Sequence, residues 1–506
     1  MPFMSLVGQS FQLAAKSLSS QRTINYSIEN YGGEDDHTKA KMVLNLTPGA
    51  ACVADLGKDP ADIGRGMYYS SSSYAPEFTS VLYYVTGSSV KRMDQDFANT
   101  VTIGNVRDNG DQLSMIDNGL DFVLVDGEQL YKSSLKADFG AEDWGTVELP
   151  VVAGSTTGER VKPTHVAFLG QRLIVNSRNS NTWYFSKLGL TEFDTETNLD
   201  FYSAEQSSDT ILALKVVNGS LWCFGQRSYE IWRTTDNQDD PFAYVGGSSS
   251  QVGIKAPSSL ATVNDLVFWL GSSDVGCDSV WMGKGQSIER ISTAGIEDQI
   301  LTLENREKAI GWAYSKAGNT FYVLTFPWSQ RTFVYELSTG TWCERLSREI
   351  NSGNWQAYLY INGVFANNKI YCQVIDGPTL CWLDDNKFTE YDGRQIVRQR
   401  ISPTYYDGLL PMILDQITVD MQVGTTELLT GLGSEPKMLL EISRDGGHTY
   451  GSIKERSIGL QGNYRKVVRW LSQGMGREIV LKFTVSDPVA HSIYQMRLDY
   501  KLAKRT

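Results

Sequence analysis

Histidine is scarce in this sequence, proline is sparse, and no long apolar run occurs. The four histidines are His37, His165, His448 and His491. None lies in a catalytic motif, and no nucleophile elbow supplies a serine for a triad. A Walker-type phosphate loop is missing, and Gly283-Lys284-Gly285 lacks the third glycine of a dinucleotide fingerprint. Triad hydrolysis and nucleotide chemistry therefore find no support. The six cysteines, Cys52, Cys223, Cys277, Cys343, Cys372 and Cys381, are scattered without a CxxC pair. That spacing argues against a zinc site or a disulfide framework, and the thiols read as reduced and mostly buried. No cofactor or metal is expected. No stretch approaches the roughly 18 apolar residues that span a bilayer. The segment Met1 to Ser20 has no basic region followed by an apolar core, so a cleavable leader is not expected either.

Charge of one sign is also short. The chain carries 46 Lys+Arg against 58 Asp+Glu, a formal net of −12. A surface that wraps nucleic acid needs clustered cations, so sequence-specific nucleic-acid binding is not expected. The imbalance is uneven: residues 451–506 hold 11 Lys+Arg against 4 Asp+Glu, a net of +7 that leaves −19 on the preceding 450 residues. A basic end on an acidic body can dock on an acidic neighbour or face DNA, and it can equally be a solvated strand face. The acidic clusters Asp236 to Asp240 and Asp384-Asp385-Asn386 lack the alternating ligands of a calcium loop and read as turns.

Aromatics and glycines are what the chain has in quantity: 12 Trp, 25 Tyr, 19 Phe and 46 Gly. They alternate along short runs bounded by turn residues, the signature of β-strands. A polar turn followed by an alternating strand recurs at Asn118, Gly170, Asn218, Asn264, Asn319 and Asn368. The anchors lie roughly 46 to 55 residues apart, the period of a four-stranded propeller blade. A seventh unit is suggested upstream by Ser80-Val81-Leu82-Tyr83-Tyr84-Val85 before Gly87-Ser88-Ser89. Most units add a strand with an aromatic centre, such as Trp183-Tyr184-Phe185 or Tyr229-Glu230-Ile231-Trp232. The competing reading of the same hairpins is a string of β-sandwiches.

The predicted architecture is all-β, with a propeller of six or seven blades over residues 61–399. An N-terminal arm or strap precedes it over 1–60, including Glu34-Asp35-Asp36-His37. A β-sandwich-like domain follows over 400–506, where alternation in Gln416 to Val423, Met438 to Ser443 and Glu478 to Val485 marks half-buried strands. Within it, Ser443-Arg444-Asp445-Gly446-Gly447-His448-Thr449-Tyr450 resembles the Asp-box of sialidases and other propellers. There Asp445 accepts backbone N–H bonds across the turn, the glycines supply left-handed backbone, and Tyr450 returns to the apolar face. Ser443, Asp445, Gly447 and Tyr450 are thus expected as a structural turn and not as chemistry.

Several motifs, in order, carry a family resemblance. They are Arg22-Thr23-Ile24-Asn25-Tyr26 and Thr47-Pro48-Gly49, then Leu221-Trp222-Cys223-Phe224-Gly225 and Tyr229-Glu230-Ile231-Trp232, then Gln251-Val252-Gly253-Ile254 leading to Phe268-Trp269-Leu270. Ser443 to Gly451, Arg469-Trp470 and Phe483-Thr484-Val485-Ser486-Asp487-Pro488 complete the set. The chain resembles the packaged-DNA stabilisation proteins, the tail hub or head-completion proteins of short-tailed bacteriophages. The resemblance implies a structural virion protein, assembled in the host cytoplasm into a ring, expected to be a hexamer. It also implies a hub beneath the portal adaptor that closes the channel and links to the tail needle or plug and to tailspikes. No catalytic residue is carried over. Arg465, Lys466 and Arg469, in the basic end, are the candidate interface to the adaptor. The alternatives are a glycan-binding or a sialidase-like propeller on the virion; the latter needs two placed carboxylates, which 58 acidic residues do not exclude.

Overall fold

The computed structural model describes the chain except residues 1–2, 5, 33–40, 56–62, 72–79, 98, 136–142, 198, 205–208, 248–250, 274–277, 409, 425–430, 432, 465 and 504–506. Among the described residues, seven antiparallel sheets repeat one order from centre to rim. Their innermost strands are Gly64–Ser70, Ser114–Asp117, Val166–Leu169, Ile211–Val217, Ala261–Val263, Ile310–Lys316 and Tyr360–Ala366. These are the blades of a seven-bladed propeller, and the segment Val81–Thr86 is the second strand of the first.

The periodic turns join the innermost strand of a blade to its second strand. Tight reversal there forces positive φ, which Asn and Gly tolerate. Asn218 and Gly219 adopt φ of 46° and 67°, Asn367 and Asn368 47° and 57°, and Asn264 50°. One such turn per blade puts all of them on the same rim of the disc.

Alternation then decides which blade a side chain meets. Along Leu221-Trp222-Cys223-Phe224, Leu221 and Cys223 join the core shared with the third blade. Trp222 and Phe224 join the core shared with the fifth, against Trp269. Both faces of an inner blade strand are buried, so the run is apolar throughout, and large aromatics fill the widening wedge between sheets. Tyr83 of the first blade stacks on Phe122 of the second at 3.6 Å between ring centroids. Phe268 of the fifth stacks on Tyr322 of the sixth at 5.1 Å.

The seventh blade is closed by the other end of the chain. Its outermost strand is Gly49–Asp55, paired antiparallel with Thr379–Asp384. The residues read from sequence as an arm, 1–60, therefore hold a blade strand, and upstream of it they hold strands of the sandwich. Tyr26–Asn30 and Met42–Leu46 extend the sheet of Ser492–Leu502, Met412–Gln422 and Val468–Gly476. Ser20–Ile24 pairs with Arg398–Ile401 in the opposing sheet, which continues through Val480–Val485, Lys437–Ser443 and Lys454–Ser457. Tyr26, Ile28 and Leu44 share one core with Ile417, Leu440, Trp470 and Phe483. The Glu34–His37 cluster lies outside the described residues.

Ser20–Ile24 also touches the outer strand of the sixth blade, Ile24 pairing in parallel with Glu344. Here a fully buried carboxylate is clasped. Arg22 donates from Nε to Glu344 Oε1 at 2.8 Å and from Nη2 to Oε2 at 2.5 Å. Arg331 Nη1 donates to Oε2 at 3.1 Å, and the Ser10 hydroxyl lies 3.2 Å from Oε1. Burial pushes this carboxyl up, but Arg22 and Arg331 hold it below the usual carboxylate range. Close by, the buried Arg400 meets oxygens of the N-terminal segment, donating to Leu6 O at 2.6 Å, Thr23 Oγ1 at 2.8 Å and Gln21 Oε1 at 3.0 Å. Removing one partner of a buried ion pair strands the other, at a cost of about 3–5 kcal/mol. Glu344→Ala is therefore expected to lower the free energy of urea unfolding by that order, and a stability within error of wild type would show that the clasp does not hold the two domains.

Candidate functional site

The innermost strands surround a central channel. One chamber, of about 770 Å³, is lined from all seven blades, including Met67, Tyr68, Met115, His165, Lys215, Thr262, Trp312, Tyr314 and Asn362. A second, of about 760 Å³, opens where the inner strands begin and includes Asn109, Asp111, Asp126, Arg178, Asn179, Glu307, Lys308, Trp328 and Gln330. The two meet at Gln112, Thr164, His165, Pro257 and Ser258.

The inner chamber has no Asp or Glu among its described lining residues. Its basic groups are Lys215 and His165, both lowered by burial; His165 falls to about 4, Lys215 adding to the effect. In the outer chamber Asp126 is already engaged. Burial pushes it up, yet hydrogen bonds from the backbone N–H of Gln129 (2.9 Å), Glu128 (3.0 Å) and Arg107 (3.1 Å) and from the Tyr131 hydroxyl (3.1 Å) bring it below the ordinary value. Those bonds bind it into its own turn. Trp328 is different: it is 63% exposed at the chamber mouth, with Lys308 Nζ 5.5 Å from its ring centroid.

The other histidines are placed as follows. His491 is buried, its Nε2 2.9 Å from the Tyr26 hydroxyl and its Nδ1 3.1 Å from Val489 O. The carbonyl requires Nδ1 to donate, so Nε2 accepts from Tyr26 and the ring is neutral. Burial and Arg398 lower it to about 3. His448 is exposed on the Asp-box turn, and His37 lies outside the described residues.

The Asp-box hairpin forms the turn its sequence predicts. Asp445 accepts from the backbone N–H of His448 at 3.0 Å and of Thr449 at 2.9 Å, and lies 2.6 Å from the Ser443 hydroxyl. The hydroxyl of Ser443 accepts from Gly447 N–H at 2.9 Å. These bonds hold Asp445 well below the usual carboxylate range. Tyr450 lies under Lys482, whose Nζ is 4.2 Å from the ring centroid. Invisible in the sequence was what the hairpin docks on. A Cβ built on Gly446 would sit 2.8 Å from Ser17 Cα, and one on Gly447 would sit 2.6 Å from Ser20 Oγ. The motif is thus pressed against the N-terminal segment.

Of the three basic residues singled out, Arg465 lies outside the described residues. Lys466 is half-buried, and Arg469 is exposed on the edge strand Val468–Gly476. The same strand leaves Leu471 61% and Met475 59% exposed. Met475 stands opposite Ile413, itself partly exposed. Apolar side chains on the outer face of a strand, beside a cation, mark a surface suited to protein contact. The alternation of Trp470 in and Leu471 out was the signal available in the sequence.

Two family models between them match most of the chain. Residues 36–387 match the model described as Bacteriophage P22 Gp10, beta-propeller, and residues 397–501 the one described as Bacteriophage P22 Gp10, beta-sandwich. The chain belongs to the P22 Gp10 family of phage tail hub and DNA-stabilisation proteins. It is accordingly a phage structural protein, and the virion is its place. No curated protein matches the sequence. Among solved structures, the computationally designed Ika8 protein is 12% identical with a TM-score of 0.34, over 72% of this chain and 100% of that one. The N-terminal domain of Nup159 is 8% identical with a TM-score of 0.40, over 72% and 99%. The extracellular domain of the putative hybrid two component system BT4673 from B. thetaiotaomicron is 9% identical with a TM-score of 0.41, over 74% and 42%.

Two outcomes follow from this geometry. Gly447 has φ of +93° and faces Ser20, so Gly447→Ala is expected to cost at least about 1–2 kcal/mol in urea unfolding, whereas the same change at Gly285, whose Cβ would meet open space, costs only the backbone part. For His491 the fold holds the neutral ring. Its contribution is complete above the ordinary value of 6.5 and is lost as pH falls toward about 3. The unfolding midpoint of wild type should therefore drop more steeply between pH 6.5 and 4 than that of His491→Gln; parallel slopes would exclude the assignment.

Proposed function

We propose that this chain is the tail hub of a short-tailed phage: a subunit of a homohexameric ring, assembled in the host cytoplasm, that closes the portal channel, retains packaged DNA and links the portal adaptor to the tail needle and tailspikes. The observation that carries this reading is the paired match of propeller and sandwich to the P22 Gp10 models across both parts of the chain. The physical properties are compatible with it. A net charge of −12 suits a protein that retains DNA by blocking its path, since a surface that gripped phosphate would hinder ejection. Turn carboxylates such as Asp126 and Asp445 are spent on backbone hydrogen bonds, and this supports a non-enzymatic role.

The basic end is proposed as the adaptor-facing surface through Arg465, Lys466 and Arg469. Purified chain added to DNA-filled heads that carry portal and adaptor should render the DNA resistant to nuclease and co-sediment as a ring. Heads that stay leaky, with no bound chain, would overturn the hub. Neutralising the three cations to Gln together should weaken adaptor binding and flatten its salt dependence; binding with an unchanged salt slope would remove that surface from the proposal.

One observation favours a second reading. Exposed Trp328 lines a chamber that also holds Asn109, Asn179 and Gln330, which together offer stacking and hydrogen bonds of the kind sugar recognition requires. Quenching of tryptophan fluorescence by host lipopolysaccharide glycan, lost in Trp328→Ala, would favour glycan binding over a purely structural hub.

A further inference from the structure

Three cysteines line up across the blade that closes the ring. Cys52 lies on the closing strand Gly49–Asp55 and stands in register opposite Cys381. Cys381 in turn stands opposite Cys372 of the next strand inward, Lys369–Val374. The burial pattern puts them on one face. Cys372 and Cys381 share the core between the sixth and seventh blades with Ala50, two positions before Cys52 on the same strand. Val53, Ala54 and Leu380 point the other way, toward the first blade. The register shift between Leu380 and Cys381 absorbs the extra residue, so Cys52 keeps the side of Cys381.

Residues directly opposite in an antiparallel pair have Cα atoms about 4.5–5.5 Å apart, and disulfides form across about 4.4–6.8 Å. Of the three thiols only Cys52 is exposed, while Cys372 and Cys381 are buried. An oxidant in solution therefore reaches Cys52 first. Burial keeps the Cys381 thiol above its ordinary value, with Cys52 and Cys372 adding to that, so it attacks slowly and faster as pH rises.

We propose that Cys52 and Cys381 form an oxidation-driven cross-link that makes closure of the propeller covalent. The oxidant is a small-molecule disulfide such as oxidised glutathione. The Cys52 thiolate attacks it, forming a mixed disulfide and expelling one glutathione thiolate. Cys381, as its thiolate, then attacks Cys52 Sγ, forming the protein disulfide and expelling the second. Two protein thiols are oxidised, one glutathione disulfide is reduced to two thiols, and the two protein protons pass to the departing thiolates. The bond closes a loop of about 330 residues that contains the strands of all seven blades. In a reducing cytoplasm the ring stays closed by hydrogen bonds and packing alone; in an oxidising medium it is stapled.

The test uses the full chain, incubated at pH 8 with oxidised glutathione or with dithiothreitol. Digestion without reductant and mass spectrometry should reveal a peptide pair joining Cys52 to Cys381 in the oxidised sample only. The oxidised protein should also unfold at higher urea and at least tenfold more slowly. Cys52→Ser, at an exposed position, should lose both the linked peptide and the shift, whereas Cys223→Ser should keep both. A mixed disulfide that stops at Cys52, a link between Cys372 and Cys381, or a linked protein with unchanged unfolding would each overturn the proposal.

Discussion

A ring of sheets is only as firm as the joint where its two ends meet, and here that joint is the pairing of Gly49–Asp55 with Thr379–Asp384. Each of the other blades is a local meander, built from hairpins whose strands follow one another in sequence. The seventh must recruit its outer strand from more than three hundred residues away. The loop entropy of that long-range pairing is offset because it completes two interblade cores at once: Tyr360, Cys372 and Leu383 against Trp312 on one side, Tyr371 and Leu380 against Tyr84 and Phe97 on the other. Without the joint, both sheet faces of the seventh blade lose their registry.

The same N-terminal stretch serves the sandwich. Before entering the propeller it supplies strands to both sandwich sheets and then presents Arg22 to Glu344 at the rim of the sixth blade. Two buried charges at the junction, Glu344 and Arg400, take partners from this segment. Arg400 is solvated by oxygens of Leu6, Gln21 and Thr23. Asn25 donates to the carbonyls of Leu346 and Val397, one on each side of the domain junction. A polar junction of this kind favours one geometry, because moving the segment away would leave Arg400 without these oxygens and Glu344 without Arg22. The junction sets the exposed Leu471, Met475 and Arg469 edge at a defined position relative to the propeller.

Much of this architecture was legible in the residues. Asn218-Gly219 and Asn367-Asn368 declare tight hairpins because few residues accept positive φ. Leu221-Trp222-Cys223-Phe224 declares a strand buried on two faces. Spacing of about fifty residues then declares a blade. The Asp-box turn was readable for the same reason, since Ser443, Asp445 and Gly447 bond within eight residues. The roles of residues 1–60 were not, because their strands pair with segments hundreds of positions away and carry no periodicity of their own. Nor did sequence distinguish Glu344 from the other acidic residues; a carboxylate becomes a clasp only when Arg22 and Arg331 are brought to it.

The amino-acid sequence alone thus determined every feature that depends on neighbours along the chain: strand, turn, repeat and the all-β class. Tertiary structure decided the features that depend on distant partners. It settled seven blades and not six, the closing strand, the paired use of the N-terminal segment, and which of the described cations lie buried and which lie exposed. The physical reason is that backbone torsion preferences act over a few residues, whereas burial, ion pairing and sheet registry are properties of positions in space.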